Sequence, residues 1–423
     1  MTNWQGEIQS WLTEHKYEIV RLLQRFVQEA SVQRDEKYVQ AIVIEKLRQL
    51  QLAIDIWEPD IKELRKNEAF VSTRTNFQDS PNVVGTLKGR GGGGKSILLN
   101  GHIDVVPAGD LAHWRDEPYS GMVRDGNVYG RGSTDMKGGN VALLFAIQAL
   151  QELGVLLKGD VIFQSVIEEE SGGAGTLACV LRGYKADGAI IPEPTSMKIF
   201  SKQQGSMWFR LTIHGRSAHG GTRYEGVSAI EKAMLLIEHL QQLEKNRNAR
   251  IVDPLYKNTP IPVPINIGTI KGGSWPSSVA DEVIIEGRIG VAPHEKMKDV
   301  KEEVEEWLKK ISVQDSWFDF HPVDLEWFGA HWLPNELDTQ HPLISSLSQS
   351  YERAMSHPPT IEASPWGTDG GILSQVGKIP TVVFGPGVTE VAHFPNEYIS
   401  IESVIKATEI IALTIIDWCE IAD

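Results

Sequence analysis

Residues 87–106 read "LKGRGGGGKSILLNGHIDVV". Gly89, Gly94, Lys95 and Ser96 stand at the spacing G-x-x-x-x-G-K-S, the pattern of a nucleotide-binding P-loop. Such a loop wraps phosphates in backbone amides and passes them to the N-terminus of a helix, so the pattern has meaning only between a strand and a helix. Here Ile97, Leu98 and Leu99 follow, then Ile103, Val105 and Val106, an apolar run of strand type. A second strand-like run, "NVVGTLKG", precedes it. The glycines are therefore expected at the tip of a hairpin, and a P-loop nucleotide hydrolase, which needs a helix after Ser96, is disfavoured. Interest shifts to His102 and Asp104. Two apart on a strand, they point to one face, where the carboxylate can fix the imidazole tautomer.

The bulk properties narrow the classes. A chain of 423 residues with 41% hydrophobic content can bury a large core and suggests two or three domains. Its 41 Lys+Arg against 56 Asp+Glu give a net charge of −15, which argues against nucleic acid and anionic membrane surfaces as partners. Cys179 and Cys419, the only cysteines, make no C-x-x-C motif and suit a reducing compartment. The opening "MTNWQGEIQSWLTEHKYEIV" lacks the apolar segment of a signal peptide, and no run approaches the roughly 20 apolar residues of a membrane span. A cytoplasmic protein is the expectation.

Periodicity divides the chain. Trp4, Ile8, Trp11 and Leu12 recur at helical spacing, which predicts an amphipathic helix over the first 28 or so residues. Strand-like runs at 82–88, 96–106, 160–167, 188–191 and 380–384 then alternate with helical stretches such as "NVALLFAIQAL", predicting an α/β fold: a mainly parallel sheet with helices on both faces. Between 205 and 326 the pattern changes. "SMWFRLTIHG" alternates strictly, with Met207, Phe209, Leu211 and Ile213 on one face; the helix-like "GVSAIEKAMLLIEHLQQLEK" follows. Then come the strands "PINIGTI" and "EVIIEGRIG", the charged helix "EKMKDVKEEVEEWLKK" and a last strand near "WFDFHPVDLEW". This order is ferredoxin-like and predicts an inserted α+β domain over 205–326, flanked by the two parts of the first domain, 1–204 and 327–423, which resumes near Gly329.

Four further stretches carry chemistry. "GRGSTDMKGG" puts Asp135 between glycine-rich turns just before an apolar helix, where it could also be a helix cap. "VIFQSVIEEESGG" runs a strand into Glu168, Glu169 and Glu170, three carboxylates that repel one another unless a cation or proton compensates them. Glu193 in "GAIIPEPT" and His393 in "VAHFPNEYI" also follow strands. Together these place His, Asp, Glu, Glu and His beyond the carboxyl ends of several strands, where open α/β sheets bind ligands. Imidazoles and carboxylates without thiolates suit zinc, manganese or cobalt in a two-metal hydrolase.

"LLNGHIDVVPAG", "GNVYGRGSTDMKGG", "EEESGGAGT", "PEPT", "GRSAHGG" and "AHFPNE", in this order, resemble the di-zinc aminoacylase, acetylornithine deacetylase and succinyl-diaminopimelate desuccinylase family of metallopeptidases along essentially the whole chain. The resemblance implies two divalent ions per chain. His102 and Glu193 would hold one, Glu170 and His393 the other, with Asp135 bridging them and Asp104 orienting His102. It implies Glu169 as general base, a cis peptide between Asp135 and Met136, and His219 of "GRSAHGG" as oxyanion donor from the inserted lid. It also implies a homodimer joined through that lid, with His219 serving the partner chain's metals. Arg288, on a lid strand, is the candidate for a substrate carboxylate, with a cross-strand salt bridge as the alternative. Gly385 and Gly387 in "FGPG" either offer backbone amides to the substrate or make a turn.

One stretch departs from the family. Where many relatives carry an Asn after a Gly-Gly turn, this chain reads "KGGSWPSSVAD", with Trp275, Pro276, Ser277 and Ser278. "WGTDGG", with Asp369, and the long chain resemble the acetylornithine-deacetylase-like branch more than dipeptidases, with a dipeptidase or carboxypeptidase of the same family as an alternative. The resemblance to that branch also implies, as an alternative, a deformylase of aminomethyl-pyrimidines in thiamine salvage. The expected activity is hydrolysis of the amide of a small N-acyl amine or N-acyl amino acid, acetylornithine first among candidates.

Overall fold

A computed structural model describes residues 3–422, which divide into two compact units. The first takes the chain up to Lys202, then Asn335–Glu362 and everything from Thr368 onward; the second takes Gln203–Pro334 and Ala363–Gly367.

The first unit is built on a mixed sheet whose strands run in the order Ala53–Trp57, Asn82–Leu87, Val161–Val166, Ile97–His102, Gly188–Ile191, Thr381–Val383, Ile199–Gln203 and Asn335–Glu336. The four central strands, from Val161–Val166 to Thr381–Val383, are mutually parallel; Ala53–Trp57 with Asn82–Leu87, Asn82–Leu87 with Val161–Val166, and Thr381–Val383 with Ile199–Gln203 pair antiparallel. All six residues of Ile97–His102 and of Val161–Val166 are buried, as strands covered on both faces require. One helix group comprises Trp4–Gln28, Gly138–Glu152, Pro342–Met355 and Ile401–Cys419; a second comprises Ile61–Leu64, Ala174–Leu181 and Gly370–Gln375. Among the described residues no helix is long and apolar enough to cross a membrane.

The opening stretch folds differently from the hairpin expected for it. Asn82–Leu87 and Ile97–His102 are not neighbours, because Val161–Val166 lies between them and pairs with both. The glycine run is thus a crossover past one strand. Adjacency in sequence suggested a hairpin, but the parallel partner for Ile97–His102 comes from a distant segment. No phosphate loop forms: Ser96 leads into a strand, its N–H and Oγ–H donate to Asp187 Oδ2 at 2.7 and 2.8 Å, and Lys95 Nζ sits 4.3 Å from the centre of the Trp418 ring.

The second unit has a four-stranded antiparallel sheet in the order Ile265–Gly272, Glu282–Val291, Gly205–His214 and Asp324–Trp332, with helices Ala229–Asn248 and Met297–Lys309. The sequence order strand, helix, strand, strand, helix, strand with this spatial order is ferredoxin-like. Met207, Phe209, Leu211 and Ile213 are buried and pack with Leu236, Leu240 and Val304 of the two helices. Trp317–Phe320, expected to begin the last strand, forms a helical turn instead, and the strand starts at Asp324. Gly329 lies inside that strand, beside an irregularity between Phe328 and His331.

Candidate active site

Four chain segments leave the parallel strands at the same edge and bring the candidate residues together. His102 ends its strand; Glu169 and Glu170 follow Val161–Val166; Glu193 follows Gly188–Ile191; His393 lies in the loop after Thr381–Val383. Asp135 enters from the turn before helix Gly138–Glu152, and its peptide bond to Met136 is cis. Its two carboxylate oxygens face different imidazoles. Oδ1 is 3.1 Å from His102 Nε2, and Oδ2 is 3.3 Å from His393 Nε2. His393 Nε2 is also 3.1 Å from Glu170 Oε1, and His102 Nε2 is 3.8 Å from Glu193 Oε1.

His102 and Asp104 do not share the strand that their spacing suggested, because the strand stops at His102. The imidazole Nδ1 meets the main-chain carbonyl of Asp104 at 2.9 Å, whereas the Asp104 carboxylate is 3.8 Å away. A carbonyl only accepts, so Nδ1–H donates and Nε2 is the nitrogen left to bind a cation. The carboxylate does something else: its oxygens accept the backbone N–H groups of Glu169 and Glu170, each at 3.2 Å. Glu168, at φ 63°, anchors the same acidic turn from behind, accepting from Gln33 at 2.7 Å, Ser72 at 2.9 Å and buried Arg74 at 3.2 Å.

This donor set fits divalent cations. His102, Asp135 and Glu170 each offer one ligand atom within 4.8 Å of the others, and so do His102, Glu169 and Glu193. Nitrogen and oxygen donors without thiolate suit borderline first-row ions, and a carboxylate splitting its oxygens between two imidazoles suits two ions side by side. Electrostatics agrees. Burial disfavours a charged His102, but the carboxylates of Glu193, Asp135 and Asp104 outweigh it and hold the pKa well above the usual imidazole range. For His393 burial again acts downward, and the Asp135 and Glu170 carboxylates lift it to about 11. Asp135 is buried too, yet its two imidazole partners keep its carboxyl well below the usual range. Burial pushes Glu193 up to about 8 and Glu169 well above the usual range, with neighbouring carboxylates adding to both. Protons thus stand where positive charge is needed.

His219 and Arg288 belong to the second unit. His219 precedes a short turn, where its exposed ring accepts the Gly221 N–H at 3.0 Å and its backbone bridges to Ser278. Arg288 makes no cross-strand salt bridge: its Nε and Nη2 are buried without a hydrogen-bond partner among the described residues. Gly385 does not offer its amide outward, because that N–H donates to Thr195 Oγ1 at 3.0 Å. The position needs glycine for a close approach, since a Cβ there would stand 2.4 Å from the Glu193 carbonyl oxygen; at Gly387 it would stand 2.4 Å from that of Thr134.

Sequence reasoning missed Arg131 and Glu397, quoted only as letters of longer motifs. Both are buried, paired at 2.6 Å, and Glu397 Oε1 accepts the N–H groups of Thr134 at 2.9 Å and Asp135 at 3.2 Å. A charged residue of each sign beside a ligand segment was the available signal. Asp369 is likewise buried; burial lifts its carboxyl to about 6, and it accepts the Thr176 hydroxyl at 2.6 Å.

Comparison with known proteins agrees with this geometry. The family profile for peptidase family M20/M25/M40 matches residues 98–417. The chain is 32% identical to N-formyl-4-amino-5-aminomethyl-2-methylpyrimidine deformylase of Bacillus subtilis over 97% of each chain. It is 28% identical to acetylornithine deacetylase of Edwardsiella ictaluri, covering 82% of this chain and 87% of that one. Its fold matches the Saccharomyces cerevisiae di-peptidase Dug1p with a TM-score of 0.76 over 98% of both chains, at 13% identity. The chain belongs to peptidase family M20/M25/M40 and is a hydrolase of N-acyl amides.

Proposed function

We propose that this protein is a two-metal amidohydrolase that removes the acyl group from a small N-acyl amine. The observation that carries the reading is Asp135, whose two oxygens address His102 and His393 separately beside buried Glu169. His102 and Glu193 would hold one ion and Glu170 and His393 the other, with Asp135 available to both; zinc is the ion we assign, with cobalt or manganese as substitutes. When bound, the two ions supply Lewis acidity to a water and to the amide carbonyl. Glu169 takes a proton from that water as its oxygen adds to the carbonyl carbon. It returns the proton to the amine nitrogen as the C–N bond breaks, leaving a carboxylic acid and a free amine. Asp104 holds the Glu169–Glu170 turn in place through two N–H groups. The ferredoxin-like unit serves as lid and dimerisation domain, and its His219 donates to the oxyanion in the partner chain. The site of action is the cytoplasm, in line with two buried free cysteines, and neither nucleic acid nor membrane is a partner.

For the substrate we assign an N-formyl aminomethyl-pyrimidine or a close analogue, supported by the likeness to the Bacillus subtilis deformylase along the full length of both chains. Arg288 favours a second reading, an N-acyl amino acid of the acetylornithine type. Its unpartnered guanidinium matches a carboxylate, a group the formylated pyrimidine lacks. The test compares kcat/KM of zinc- and cobalt-loaded enzyme on N-formyl-4-amino-5-aminomethyl-2-methylpyrimidine and N-acetylornithine, for wild type and Arg288→Met. The formyl compound should lead by at least about tenfold and be insensitive to Arg288→Met. A lead for acetylornithine that vanishes in Arg288→Met establishes the second reading.

A further inference from the structure

We propose that the buried pair Arg131–Glu397 is a positioning device that acts mainly on one of the two metal positions, that of Glu170 and His393, and far less on that of His102 and Glu193, which it reaches only through Asp135. The inference rests on the two-metal reading above. Glu397 receives the Asp135 amide on Oε1 at 3.2 Å and the Arg131 guanidinium on Oε2 at 2.6 Å. Arg131 continues the chain of bonds, donating through Nη2 to the main-chain carbonyl of His393 at 3.0 Å and through Nη1 to that of Phe394 at 3.3 Å. Three hydrogen bonds therefore lead from the backbone of the bridging carboxylate to the backbone of the second imidazole. The Arg131 and Glu397 side chains are 2% and 0% exposed, so water does not compete for these bonds.

The two ligands need such a link because no sheet ladder supplies one. Asp135 sits on an irregular turn, and His393 lies in a loop at φ 65°, a left-handed conformation that a residue with a side chain keeps only when its surroundings hold it. His102, by contrast, is the last residue of a central strand. Its Nδ1 is fixed by the Asp104 carbonyl at 2.9 Å, and its own carbonyl accepts the Asn140 amide at 2.5 Å. Glu193 follows another central strand directly. Neither of these residues touches Arg131 or Glu397 in any hydrogen bond or ion pair among the described residues.

The test is cobalt titration of the metal-free protein, followed by the visible absorption of the bound ion and by equilibrium dialysis, for wild type and Glu397→Gln. Breaking one side of a buried pair can cost the fold, so the double variant Arg131→Met/Glu397→Met, which leaves no uncompensated charge, is run beside it. Wild type should bind two ions. Both variants should bind the first within about threefold of wild type and the second about 10- to 100-fold more weakly, the usual effect of losing an outer support. With one ion bound, their spectrum should coincide with that of His393→Ala and differ from that of His102→Ala. Equal weakening of both ions, or no weakening, overturns the positioning role while leaving the two-metal reading intact. A wild-type protein that holds a single ion overturns both.

Discussion

Loading the metal-free protein with zinc should expel at least about three protons per chain at pH 7. The minimum comes from three ligands kept protonated by neighbouring carboxylates or by burial; Glu169, which burial also pushes well above the usual range, adds to it once ionised as the base. His393 is lifted to about 11 and His102 well above the usual range, each by adjacent carboxylates acting against burial, and Glu193 is pushed to about 8 by burial. At pH 7 the values for His393 and Glu193 lie above the pH, and the upward shift of His102 favours its protonated form, so each must lose a proton to offer a lone pair. Asp135, drawn below the usual range by its imidazole partners, is already ionised and contributes none. The sign follows: cations and protons compete, so affinity rises with pH while the ligands remain protonated. Each proton released adds about a factor of ten per pH unit to the product of the two binding constants, or at least roughly 10³ per unit near pH 7. Once Glu193 has titrated, above its pKa, the slope should fall by one. Calorimetry at one pH in buffers of different ionisation enthalpy counts the protons directly. Release of fewer than one proton with both ions bound would mean that the imidazoles are neutral in the metal-free protein, and the electrostatic account of the site would fail.

Other perturbations separate the parts. Glu169→Gln should retain both metals and lose most of its turnover, because an amide cannot accept the water's proton; an active, metal-replete variant removes Glu169 from the chemistry. Lys95→Ala should leave kcat/KM within about twofold and lower stability by no more than the ~0.5–1 kcal/mol of an exposed cation–π contact with Trp418, measured by chemical denaturation. A large loss of activity together with ATP binding would restore the phosphate-loop reading. His219→Ala should cost about 10² to 10³ in turnover as an oxyanion donor. If it acts across a dimer, subunit exchange with Glu169→Gln should restore one working site per mixed dimer, and verified exchange without recovery places His219 outside the partner's site.

Strand positions were legible because apolar runs in a doubly covered sheet have few alternatives. Ile97–Leu99, Val161–Val166 and Gly188–Ile191 all lie where their composition put them. The neighbour relation of Asn82–Leu87 and Ile97–His102 was not, since hydrophobicity says which segments are buried and nothing about which segment slides between two others. The crossover past Val161–Val166 becomes visible only when the parallel pairing is known. The same limit governs side chains. The ordered motifs point at His102, Asp135, Glu169, Glu170, Glu193 and His393, because carboxylates and imidazoles at strand ends are costly without a function. They do not show which atom of a neighbour serves which purpose.

Asp104 and Glu397 make that last limit concrete. Both are buried carboxylates within a few residues of a ligand, and both act by accepting backbone N–H groups. Asp104 fixes the turn that carries Glu169 and Glu170, and Glu397 fixes the turn that carries Asp135. Sequence spacing assigns the Asp104 carboxylate to the imidazole two residues away, yet the main-chain carbonyl already fills that role at 2.9 Å. The reason is geometric. Once the strand ends at His102 the side-chain alternation of a strand no longer applies, and the carboxylate is free to reach an acidic turn whose amides need acceptors. Among the buried acids here, some have oxygens that face imidazoles, and Asp104 and Glu397 have oxygens that hold backbone. The second kind sets the distances at which the first kind can bind a cation.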